Sequence, residues 1–132
     1  TVCPMAAAAS FAGVLHVTVH SISDFTDAAG FMDKTDPFVQ LSLGNETYRT
    51  GVKDNAGGAA IFSEKLSFNK QVDENILKVA VFDKDTISDD RLGERDVDLN
   101  MQDLSGDELT EFDVVKEGKT VGKVYLLFDA CV

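Results

Sequence analysis

Apolar and polar residues alternate with a period of two through most of this chain, the repeat of a strand with one face buried and the other in water. The first such run is 14–20, where Leu15, Val17 and Val19 share one face and His16, Thr18 and His20 the other. Similar runs follow at 38–43, 46–52, 60–68, 76–82, 91–99, 110–115 and 121–129. Between them stand turn formers: Gly44-Asn45, Asn55-Ala-Gly-Gly58, Ser105-Gly106-Asp107 and Glu117-Gly-Lys119. Pro37 precedes the second run, one of the few positions at which a sheet tolerates proline. Residues 100–109 are polar and have room for one helical turn. Eight strands at this spacing predict an all-β, eight-stranded antiparallel sandwich. Counting up and down puts the loops 21–35, 53–59 and 83–91 at one end and both termini at the other.

A length of 132 residues with 44% hydrophobic content suits one domain with its own core, read here as 13–132 behind an N-terminal extension, 1–12. The extension is rich in small residues and lacks the basic start and bulky apolar centre of a signal peptide. No stretch approaches the roughly twenty apolar residues of a spanning helix. Cys3 and Cys131 are too few for a disulfide framework, so free thiols in a reducing compartment are the expectation, although the strand count brings both to one end. His16 and His20 sit about 13 Å apart on a strand, which makes them solvent-facing histidines and not a metal pair.

A formal net charge of −11 argues against a nucleic-acid partner, which needs a basic footprint. Aspartates 27, 33, 36, 54, 83, 85, 89 and 90 lie in or near the three loops, so the acidity is expected to concentrate at that end. Its centre is 83–94, with four aspartates within eight residues straight after a strand. Crowded carboxylates repel one another and favour a bound hard cation, calcium above all. As an EF-hand loop the stretch fails, because Ile87 and Ser88 stand where a ligand and a glycine are needed and the flanks read as strands. As the Asp-x-Asp of a phosphatase it fails for want of the helices of an α/β sheet. No nucleophile–base arrangement, phosphate-cradling glycine loop or Cys/His metal spacing appears, so the reading is not an enzyme.

Thr35-Asp36-Pro37-Phe38-Val39 opens one strand, Phe82-Asp83-Lys84-Asp85 closes another, and Asp90-Arg91-Leu92-Gly93-Glu94 follows. In that order these resemble the markers of the C2 domain family, the calcium- and phospholipid-binding β-sandwich module, and the resemblance covers about residues 13 to 129. Phe62-Ser-Glu-Lys-Leu-Ser-Phe68 is similar to the family's Trp-Asn-Glu-x-Phe-x-Phe, without the usual Asn-Pro before it. The resemblance implies a Greek-key sandwich in the family's second permutation, as in its phospholipase members.

It also implies a site. Asp36 would come from the first loop and Asp83, Asp85 and Asp90 from the third, with Asp89 competing for the last role because the spacing is one residue short. The family's first aspartate falls on Gly30, so Asp27, in Asp27-Ala-Ala-Gly30, takes its place, with Asp33 as substitute. Phe31, Met32 and Ile87 resemble membrane-penetrating loop tips. The implied function is calcium-dependent docking on anionic phospholipid by a cytoplasmic protein peripheral to membranes, with an organellar setting as the other possibility. The alternative is a domain of the same fold serving as a protein-interaction or structural subunit of a larger assembly, without obligatory calcium or lipid. Lys53, Lys65 and Lys70 are scattered, so no dedicated phosphoinositide site is evident.

Overall fold

Each alternating run becomes a strand in the computed structural model, which describes residues 11–25, 35–85 and 87–131. The strands are β1 (Gly13–Ser23), β2 (Pro37–Leu43), β3 (Glu46–Arg49), β4 (Ala60–Lys70), β5 (Ile76–Asp83), β6 (Asp90–Asp98), β7 (Ser105–Lys116) and β8 (Lys119–Cys131). They pair antiparallel in the order β3-β2-β5-β6-β7-β8-β1-β4. The order folds over at β6–β7, where the ladder shrinks to Glu94 facing Val115. Two four-stranded layers result, β3-β2-β5-β6 and β7-β8-β1-β4, and both contribute to one core that includes Leu41, Val79, Val17 and Phe128. The first described strand sits between β4 and β8, as the expected permutation requires.

Local chemistry explains where the strands depart from the hydrophobic pattern. In β1 a bulge between Val19 and Ser21 shifts the register, so Ile22 rejoins the buried face out of strict alternation. β3 stops at Arg49 instead of running to 52. Thr50 is buried there, its N–H donating to the Val39 carbonyl at 2.9 Å and its Oγ1 accepting the Val39 N–H at 3.0 Å. A 3-10 turn, Leu99–Met101, fills part of the polar connection, with the Asp98 carboxylate accepting the Asn100 N–H at 2.9 Å. Gly93 allows the close approach at the β6–β7 fold, since a Cβ there would lie 2.7 Å from Val114 Cγ1.

Three expectations meet the structure directly. His16 and His20 lie half-buried on the outer face of β1, with Nδ1 2.7 Å from Ser67 Oγ and 2.8 Å from Ser21 Oγ respectively. Lys70 is not a surface base: it is 1% exposed, its Nζ donates to the carbonyls of Phe11 and Gln71 at 3.0 and 2.9 Å, and it stands 4.8 Å from the Phe11 ring centroid. Burial lowers its pKa from the usual lysine value, against the opposing pull of Glu74 and Asp73. The free-thiol expectation fails for Cys131, which is disulfide-bonded, while Cys3 lies outside the described residues. Among the described residues no helix is long and apolar enough to cross a membrane.

Candidate metal centre

The end of β1, the start of β2, the end of β5 and the start of β6 meet at one end of the sandwich. Pro37 is in register with Asp83, and Asp83 with Asp90. The Asp36 N–H donates to Asp83 Oδ1 at 2.9 Å, and the Lys84 N–H donates to the Asp36 carbonyl at 2.9 Å. These two bonds tie the first loop to the third. The second loop joins through the Asn55 N–H, which donates to Asp36 Oδ1 at 2.8 Å. Beneath them the Phe25 N–H donates to the Gly58 carbonyl at 3.2 Å, and the Phe25 ring lies on Gly122, where a Cβ would come within 2.4 Å of it. Only a residue without a side chain lets that ring close the core at this end.

Of the expected ligands, Asp36, Asp83 and Asp90 reach adjoining strand ends. Asp36 and Asp83 each accept a backbone N–H on Oδ1, and Asp90 is exposed. Asp85 lies in the third loop, and its N–H is 3.4 Å from Asp89 Oδ1. Asp89 is drawn toward cations instead, 3.5 Å from Lys84 Nζ and 3.9 Å from Arg49 Nη1. Asp27, Asp33, Phe31 and Met32 lie outside the described residues. Ile87 is 95% exposed, so it has no part in the core.

Among the described residues no three carboxylate, imidazole or thiolate groups come close enough together to hold a metal ion. The donors that do gather are all carboxylate oxygens, the kind a hard divalent cation takes in sets of six to eight. They suit calcium in kind, and their present spacing would have to tighten around it.

A cationic feature that the sequence reading missed flanks this end. Phe38 and Phe82 stack at 5.2 Å with ring planes 11° apart, Arg49 lies 5.1 Å from the Phe38 centroid, and Arg91 lies 5.3 Å from that of Phe82. Arg91 is also ion-paired with Glu94. The signal was available, because burying Val39 and Val81 turns Phe38 and Phe82 to the opposite face of their strands.

Known proteins agree with this architecture. A curated relative, the 16 kDa phloem protein 2 of Arabidopsis thaliana, is 28% identical over 116 residues, which cover 86% of this chain and 78% of the relative. A solved C2 domain-containing protein superposes with a TM-score of 0.76 at 25% identity, covering 94% of this chain and 90% of its own. A solved domain of a plant extended synaptotagmin 1, the first of its C2 domains, gives 0.70 at 22% identity over 92% and 97% of the two chains. Residues 13–126 match the C2 domain family, and the chain belongs to it.

Proposed function

We propose that this domain is a non-enzymatic module that docks on anionic phospholipid when calcium binds between its first and third loops, in a cytoplasmic protein peripheral to membranes. The observation that carries this reading is the pair of bonds joining Asp36 to Asp83 and Lys84, which couples the two loops and brings carboxylates from both together. Asp36, Asp83, Asp85 and Asp90 are the proposed ligands, with Asp27 or Asp33 adding a further oxygen and Asp89 held in reserve by Lys84 and Arg49. Bound there, calcium would supply the positive charge that lets an acidic end meet a lipid phosphate. Asp36 and Asp83 orient their carboxylates through backbone N–H donors, so these groups are set before an ion arrives. Ile87, with Phe31 and Met32, supplies apolar side chains for the membrane interface. Arg49 and Arg91 flank the site with fixed positive charge.

The second reading, a protein-interaction or structural subunit indifferent to calcium, is favoured by the ion pairs of Asp89 and by the absence of a converged trio of ligands among the described residues. Co-sedimentation with phosphatidylserine vesicles separates the two. Docking predicts binding in calcium that is lost on chelation; equal recovery of the protein with and without the ion sinks it.

A further inference from the structure

The opposite end of the sandwich has exposed apolar residues of its own. Val72 is 58% exposed, Ile76 46% and Met101 77%. The fold brings them to one place, since Ile76 is in register with Asp98, the Leu99 N–H donates to the Asn75 carbonyl at 2.8 Å, and Met101 closes the turn that Leu99 opens. Asp73 and Glu74 lie between Val72 and Ile76, and Asp98 and Asp103 flank Met101. Beside them Glu46 and Glu74 line a cavity of about 250 Å³ with Asn45, Asn69 and Gln71. Lys70, the basic residue nearest in sequence, is sunk with its Nζ on two carbonyls and leaves this charge unanswered at the surface. The acidity is therefore not confined to the loop end, as the sequence had led one to expect.

We propose that this end is a docking face for a basic amphipathic segment of a partner protein. Its apolar side chains would cover Val72, Ile76 and Met101, and its lysines or arginines would meet the surrounding carboxylates, with the Glu46–Glu74 cavity admitting one of them. Charge complementarity selects this occupant. A second copy of the chain would set acidic rim against acidic rim, and an anionic lipid surface would be repelled. The face lies away from the loops, so a domain on a membrane would still present it to a partner.

The test uses the full chain in saturating calcium, so that the acidic loops do not compete, with a synthetic amphipathic leucine–lysine peptide as probe. A lysine–serine peptide of equal charge is the control. The face predicts amide shifts at 71–76 and 99–103, binding at least about tenfold weaker for the control peptide, and a loss of about tenfold in the Ile76→Thr/Met101→Ser variant at unchanged melting temperature. Asp73→Lys, which leaves the apolar residues in place, is expected to weaken binding as well. Shifts centred on 84–90, or equal affinity of the two peptides or of the variant, would overturn the proposal. So would sedimentation showing that the unmutated chain self-associates through these residues.

Discussion

The two ends of the sandwich use their carboxylates in opposite ways. At the far end Glu46 accepts the Asn69 N–H, Glu74 that of Gln71, Asp98 that of Asn100 and Asp103 that of Ser105, so each acid finishes a turn or strand close by. At the loop end Asp36 and Asp83 bond across loops distant in sequence, while Asp90 is exposed on the strand facing Asp83. Acids that complete their own turns stabilise the chain by themselves. Acids brought together from separate loops repel one another, and a cation added there relieves the repulsion. The difference teaches that a count of aspartates cannot separate a structural end from a binding end, whereas their hydrogen-bond partners can.

The largest expected effect is on the packing beneath the loops. Phe25→Ala removes the ring that lies on Gly122 and is expected to cost about 3 kcal/mol, read from urea unfolding. A cost below about 1 kcal/mol would mean that the loop end does not lean on this ring. Next is the metal. At a hundredfold excess over its dissociation constant, calcium should stabilise the folded chain by about 2.7 kcal/mol and raise the melting temperature accordingly. Asp85→Asn should remove most of that gain and slightly stabilise the calcium-free form by relieving repulsion. A melt that ignores calcium in the unmutated chain erases the contrast between the ends.

Smaller still is the interface contribution of the loop tips. Phe31→Ala with Ile87→Ala should weaken vesicle binding several-fold, because partial burial gives less than the roughly 1.5–3 kcal/mol of a fully buried side chain. Calcium affinity and melting temperature should hardly change; a large loss of stability with lipid binding intact would make these residues core. The smallest effect concerns Lys70 at the far end. Its pKa is lowered in the folded chain, so between that value and the ordinary lysine value the unfolded chain binds more protons and stability rises with pH. The urea midpoint relative to Lys70→Met should therefore climb as pH rises toward the ordinary lysine value. A difference that stays flat or falls would contradict a burial cost at this position.

The strands of the core were legible because one buried face imprints a period of two, as Leu15, Val17 and Val19 show. The first part of β7 was not. Ser105, Gly106, Asp107 and Glu108 have no apolar alternation, and backbone pairing of Ser105 with Asp129 and Leu109 with Leu127 frames that stretch. Of the site, Asp36-Pro37 and Asp83-Lys84-Asp85 were readable because each motif lies within one short segment. The pairing of Asp89 with Arg49 was not, since the two meet only once β3 and the third loop are folded. Lys70 misled for a related reason: a lysine reads as surface until the carbonyls that hold it are known.

The place of β1 also sets a clock on the birth of the fold. Its one edge pairs with β4, which follows closely in the chain, but its other edge waits for β8, where Val14 meets Cys131. At roughly 5–20 residues per second on a ribosome, that partner follows by about ten seconds. During this interval Leu15, Val17 and Val19 stand on a half-paired strand with an open edge, the kind of surface on which nascent chains aggregate. Arrival of the last strand closes it, so a stalled or truncated product ending before β8 would expose the apolar face of β1 to whatever chaperone or neighbouring chain is at hand.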